Sequence, residues 1–336
     1  MLRNKTLFVV GAGASHEFKL PVGSELALQI STKLDVRFDD FGEKRTGAGD
    51  HALFEQIRRT YPREANEYQK SGWVIRDGIV LANSIDDFLD LHRDDERTVR
   101  YGKVAIVKCV LEAEAKSTLY ADKSKRETIN FRSVADTWLV KLMRMLGQGV
   151  PRAKRAELFD QCSFVVFNYD RCIEHFFINA LQPMYNIGEN EAADIVGKAK
   201  IVHPYGVAGN LPALSKDRRG IDFGMTSGNC IELASNIRTY SESVEAREIQ
   251  SMVAEAKCIV FLGFAFHEVN LRLLAEQKTL QTKQIYGTTY GISDNDVAII
   301  RTELWRWFKE RSVMEGRVHL PHVSASKLFD DFSKSI

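Results

Sequence analysis

No two cysteines in this sequence stand in C-x-x-C spacing. The five that occur, Cys109, Cys162, Cys172, Cys230 and Cys258, are odd in number and irregularly placed. That argues against a structural zinc knuckle and against a secreted disulfide framework, and it suits reduced thiols in a cytoplasmic protein. Long hydrophobic runs are missing too, since none approaches the ~20 residues that cross a bilayer. The opening MLRNKTLFVVGAGAS has a basic start, but its apolar part is only about four residues long before the glycines, short of the ~7–15 of a signal-peptide core. Net charge is almost absent: lysine plus arginine total 46 against 45 for aspartate plus glutamate, +1 overall. The whole chain therefore carries no electrostatic footprint for nucleic acid or an anionic membrane.

What is present is enough for a folded core. The 336 residues are 44% hydrophobic and 27% charged, the balance of a globular protein and not of a disordered one. The length suits one large α/β domain or a domain with a sizeable insertion.

Buried strands punctuate the chain. Thr6 to Val10 is an apolar run fit for burial on both faces, and Gly11-Ala12-Gly13-Ala14-Ser15 follows directly. A helix is expected over about 24–34. Residues 35–80 show no clear period. Ser84-Ile85-Asp86-Asp87-Phe88-Leu89 reads as a helix start with Ser84 as N-cap, and amphipathic helices are expected at about 97–117 and 132–147. The strand signal returns at Ser163–Phe167, Lys200–His203, Cys258–Leu262 and Gln284–Gly287, with helices expected at about 171–181, 235–256 and 268–278. Ser293 with Asp296 opens a last long helix whose apolar stripe is Val297, Ile300, Leu304 and Phe308. Alternating strands and helices imply an α/β, Rossmann-like, doubly wound parallel sheet. Its core spans about 1–34 and 160–292, a helical layer is inserted over about 35–159, and a C-terminal helix and tail cover about 293–336.

Four strand ends carry candidate chemistry. Glycines at 11 and 13 let a backbone approach a phosphate, with Ser15 as a further donor, although G-x-G-x-x-G is incomplete and no Walker lysine follows. The bland reading is a tight strand-to-helix turn. Asn168 and Asp170 in Phe-Asn-Tyr-Asp stand where open α/β sheets bind ligands, yet Asp170 can equally cap the next helix. His203 precedes Pro-Tyr-Gly, and a lone histidine is more often structural. Gly263, Phe264 and Glu268 open another helix, where Glu268 and Asn270 are also ordinary first-turn residues.

Taken in order, glycine loop, N-x-D, histidine near a glycine and a further strand-end glycine resemble the sirtuin-like superfamily of NAD-consuming proteins over about 5–34 and 160–292. The resemblance implies that Gly11, Ala12, Gly13, Ala14 and Ser15 bind NAD phosphates and that Asn168 and His203 are catalytic. It also implies that Asp170, Gly263, Phe264 and Glu268 help hold the cofactor. Deacylating sirtuins carry two C-x-x-C pairs and an Asp-Phe-Arg after the glycine loop, where this chain has Leu20-Pro21-Val22-Gly23. The chain is similar instead to the sirtuin-like proteins of bacterial antiphage defence, which implies NAD hydrolysis to nicotinamide and ADP-ribose with no metal. It further implies a homo-oligomer or a partner, a HerA-type ATPase or a short Argonaute, that gates the activity. The Ser84–Leu89 segment is similar to one recurring in that branch and has no evident chemical role.

Breaking the nicotinamide–ribose bond leaves positive charge on the ribose. Asn168 suits positioning of ribose hydroxyls or water, a neutral His203 suits proton acceptance, and Asp170 suits electrostatic support of the cation. The rival readings are an NAD or ADP-ribose sensor without turnover, an NAD-dependent deacylase and, least favoured, a plain dehydrogenase lacking its full fingerprint.

Overall fold

A computed structural model describes residues 2–38, 45–215, 220–242, 246–274, 283–307 and 317–336. Six parallel strands make the sheet, in the order β5-β4-β1-β6-β7-β8. They are β1 (Thr6–Val10), β4 (Cys162–Val166), β5 (Lys200–Val202), β6 (Cys258–Leu262), β7 (Gln284–Gly287) and β8 (Val318–His319); β2 (Arg37–Phe38) and β3 (Arg45–Thr46) form a separate antiparallel ribbon. Alternate residues of each central strand feed opposite cores. Leu7, Val9, Val165, Ile259 and Phe261 join one cluster, while Phe8, Val10, Phe164, Val166 and Val260 join the other. A strand covered on both faces needs apolar side chains on both, which is why these runs are nearly continuous, broken only by Thr6 and Ser163 near their starts. The α/β, doubly wound reading of the sequence therefore holds.

The helices are α1 (Ala12–Ser15), α2 (Gly23–Lys33), α3 (His51–Thr60), α4 (Ala65–Gly78), α5 (Ile85–Leu91), α6 (Glu96–Lys116), α7 (Trp138–Gly147), α8 (Cys172–Tyr185), α9 (Glu189–Val196), α10 (Cys230–Leu233), α11 (Ala246–Glu255), α12 (Glu268–Leu274), α13 (Asp294–Trp307) and α14 (Ala325–Phe332). Ser84 Oγ accepts from the Asp87 amide as the expected N-cap of α5.

Several expectations change. The inserted block is not one layer: α3 to α6 pack into the Leu7 cluster, whereas Trp138, Leu139 and Leu142 of α7 pack into the Phe8 cluster on the other face. α7 begins at Trp138 instead of 132, because residues 131–137 turn back on themselves through bonds such as Thr137 Oγ1 to the Val134 carbonyl. The single helix expected over 235–256 is broken into short turns and α11. The tail adds a sixth strand, β8, too short for its pattern to register. Phe308 and residues 275–278 lie outside the described residues. All five cysteines are buried and free, and among the described residues no helix is long and apolar enough to cross a membrane.

Register sets the site. Val10 pairs with both Val166 and Leu262, so Gly11, Phe167 and Gly263 leave the sheet at one level. Val165 pairs with Val202, which brings His203 to the same edge.

Candidate functional site

The glycine loop is built against protein before it meets any ligand. Gly13 donates its N–H to the Gly263 carbonyl (3.0 Å), Gly11 to the Leu262 carbonyl (2.9 Å) and Ala14 to the Gly11 carbonyl (3.0 Å). A Cβ on Gly11 would fall 2.5 Å from the Gly263 oxygen, and one on Gly263 would fall 2.0 Å from the Ala14 nitrogen. Gly263 also has φ +54°, a conformation glycine adopts without a Cβ penalty. These glycines are therefore required for backbone-to-backbone packing of two strand ends. Three of the amides expected to face phosphate are already bonded inside the fold, and Trp138 Nε1 holds the Ala14 carbonyl at 3.0 Å. Ala12 is the member of this loop that lines a cavity.

That cavity, of about 100 Å³, brings Ala12 together with Asn168, Tyr169 and Asp170 at the strand ends and with Ser84, Ile85 and Asp86 of the inserted block. Its apolar walls include Leu20, Leu26 and Val110. Asn168 is buried, and its Nδ2 donates to Ser15 Oγ at 2.9 Å. Asp170 does what the local reading foresaw, accepting the Cys172 amide at 3.1 Å at the start of α8, and it also faces the cavity.

His203 is tied to the same motif from behind. Its Nδ1 lies 3.1 Å from the Asn168 carbonyl and its Nε2 lies 2.8 Å from Glu174 Oε1. A carbonyl can only accept, so Nδ1 carries a proton. Burial by itself would depress the His203 pKa, but the Glu174 carboxylate, its hydrogen bond and the Asn168 carbonyl together raise it above 6.5. Burial likewise opposes ionisation of Glu174, yet His203 holds its pKa below 4.5. Each partner thus favours the charged form of the other. Both ring nitrogens of His203 are engaged with protein oxygens, where a proton-accepting role toward substrate calls for a free one. His203 borders a different cleft, of about 490 Å³, with Glu174, Asn210, Arg238 and Glu248. Glu174 Oε2 is buried there without a hydrogen-bond partner.

Two expected contacts lie away from the cavity. Phe264 is buried among Phe167, Phe261 and Phe266, at ring separations of 5.1 to 5.4 Å from Phe167 and its other two neighbours. Glu268 is exposed and bonded to Arg272 one helical turn on, at 2.6 Å. Neither lines the space beside Asn168 and Asp170.

Four residues of this region were given no chemical role in the sequence. Glu174 is an acidic residue within the apolar face of α8. Arg171 and Glu114 form a buried ion pair in which Arg171 also donates to the Gly209 (3.1 Å) and Ile221 (2.6 Å) carbonyls and Glu114 accepts the Gly224 amide (3.1 Å). Asp86 accepts the Tyr169 hydroxyl. For Glu174 the available signal was a charge within an otherwise apolar helix, and Asp86 stood in the capped Ser84–Leu89 segment.

Compared with models of known protein families, with curated proteins and with solved structures, the chain matches none. Among the described residues no group of three or more histidine, cysteine or acidic side chains is placed to share a metal ion.

Proposed function

We propose that this chain is a sirtuin-like NAD glycohydrolase, cytoplasmic, that depletes NAD as the effector of an antiphage defence system. The observation that carries the reading is the cavity where Ala12 of the glycine loop meets Asn168 and Asp170 at the carboxyl ends of β1 and β4. Open α/β sheets bind ligands at such strand ends. Nicotinamide leaves as a neutral ring, so the site needs no strong acid; it needs to hold ribose, stabilise a developing cation and position water. Asn168, fixed through Nδ2 on Ser15, offers an amide acceptor to a ribose hydroxyl or to water. The Asp170 carboxylate favours positive charge nearby. His203 acts as a positioning residue, gripping the Asn168 carbonyl.

The size of the cavity supports gating. At about 100 Å³ it admits one ring and not a dinucleotide, well below the ~300–1,000 Å³ of small-molecule sites. Hydrolysis then requires the wall formed by Leu20, Pro21 and α5 to open, which a homo-oligomer or a partner such as a HerA-type ATPase or short Argonaute would favour.

The test is chromatography of nicotinamide and ADP-ribose after incubating purified protein with NAD, alone and with its neighbouring gene product. Release that Asn168→Ala reduces by ~10²-fold or more supports the reading. Binding of ADP-ribose without release under every condition would instead make the chain a sensor.

A further inference from the structure

The capped helix α5 stands out in the sequence without a chemical role, and the structure turns its second residue toward the site. Asp86 lines the cavity with Asn168 and Asp170 although it lies 83 residues from Tyr169, whose hydroxyl it accepts. Two other titratable candidates are tied into the fold at one or both of their polar atoms. Both His203 nitrogens are bonded to oxygens and the ring borders the neighbouring cleft, while Asp170 caps α8.

We infer that Asp86 is the carboxylate that takes the proton of the attacking water. This rests on the glycohydrolase reading. The water oxygen bonds to the ribose anomeric carbon as the bond from that carbon to the nicotinamide nitrogen breaks. The bonding pair leaves with nicotinamide, which becomes neutral, and one water proton passes to Asp86 and on to solvent. The products are ADP-ribose, nicotinamide and a proton.

The surroundings suit a base that works near neutrality. Burial raises the Asp86 pKa to about 6, the Tyr169 hydrogen bond opposes that rise, and Asp87 adds to it. The other ionisable groups around it are Tyr205 and Tyr240, whose own ionisation Asp86 opposes, and Asp170 across the cavity. On the flanking α6 and the 240–242 turn, Lys103 and Glu242 pair with each other at 2.6 Å. A base must be ionised, so activity should fall as pH drops through about 6.

The experiment measures NAD hydrolysis by the full chain, in its activated form, from pH 5 to 9 for wild type, Asp86→Asn and Tyr169→Phe. Expected are a kcat fall of ~10²–10⁴-fold with KM nearly kept in Asp86→Asn, and an acid limb near pH 6 in wild type. In Tyr169→Phe that limb should move to higher pH, because the lost hydroxyl was holding the Asp86 pKa down. Thermal unfolding controls for misfolding: with a buried carboxylate removed, Asp86→Asn should unfold at or above the wild-type temperature at pH 8. Wild-type hydrolysis with a fully active Asp86→Asn, or an acid limb that Tyr169→Phe leaves in place, overturns the assignment while the glycohydrolase reading stands. A wild type that binds ADP-ribose but releases no nicotinamide overturns both.

Discussion

Asn168 Nδ2 and Ser15 Oγ meet at 2.9 Å across 153 residues of chain, joining the end of β4 to the glycine loop after β1. Both residues are buried, so each fixes the other's rotamer. In Ser15→Ala the amide keeps its place in the chain but loses its anchor. A donor left unsatisfied at such a site costs ~1–3 kcal/mol, and a small misplacement of a positioning group costs up to ~10²-fold in rate. We expect Ser15→Ala to lower kcat for NAD by roughly 10–100-fold and to leave KM little changed. Steady-state kinetics read this directly. A kcat equal to wild type would mean that Asn168 needs no support from the loop.

How much of this arrangement was legible depends on the range of the interaction. β1, β4 and β6 announce themselves because burial on both faces leaves each strand almost wholly apolar, with Thr6 and Ser163 the polar members. Ser84 announces itself because a cap acts over three residues. The contacts that make the site do not. Tyr169 and Asp86 carry no shared local pattern, and neither do Gly13 and Gly263, whose packing is a meeting of two backbones. The glycines were readable as places of close approach, but what approaches is the neighbouring strand end. His203 was readable as a candidate, whereas its charge state follows from Glu174 on α8, which sequence alone does not place beside it.

The His203–Glu174 pair predicts a pH signature. His203 has its folded pKa raised above 6.5, so its contribution to stability is fully present below 6.5 and is lost as pH rises through the raised value. Glu174 has its folded pKa lowered below 4.5, so its contribution is present above 4.5 and is lost as pH falls through the lowered value. The window in which both act is therefore pH 4.5 to 6.5. Glu174→Gln should be least stable relative to wild type inside that window, by ~1–3 kcal/mol for a lost charged hydrogen bond. The deficit should shrink at higher pH. Melting curves of both proteins across pH 4 to 9 test it, and a constant deficit over the range would show that His203 is not a cation in the fold.

Arg171 and Glu114 make a different prediction, about structure alone. The pair is buried and ties α6 of the inserted block to the segment carrying Gly209, Ile221 and Gly224. Removing one partner of such a pair strands the other and costs ~3–5 kcal/mol, more than the pair itself contributes. Arg171→Leu should therefore be severely destabilised, and Arg171→Leu with Glu114→Leu should recover part of the loss. Chemical denaturation midpoints for the two single variants and the double variant measure this. Additive losses in the double variant would remove the coupling.

The glycine seam yields the last prediction. Gly263 sits at φ +54°, its carbonyl receives the Gly13 amide, and its own amide donates to Thr288 Oγ1 at 2.7 Å. A methyl group there meets the Ala14 nitrogen at 2.0 Å, and backbone cannot swing aside as a flexible side chain does. Gly→Ala at a compatible position stabilises by ~0.4–1 kcal/mol, and where φ is positive it destabilises by more than that. Gly263→Ala should thus lower stability by more than ~1 kcal/mol and push the glycine loop away from β6, moving Ser15 off Asn168. Gly23→Ala supplies the contrast, because a Cβ on Gly23 meets nothing within 4 Å. If Gly263→Ala melts with wild type, the two strand ends are held apart in solution, and the loop amides bonded here would be open to a phosphate after all.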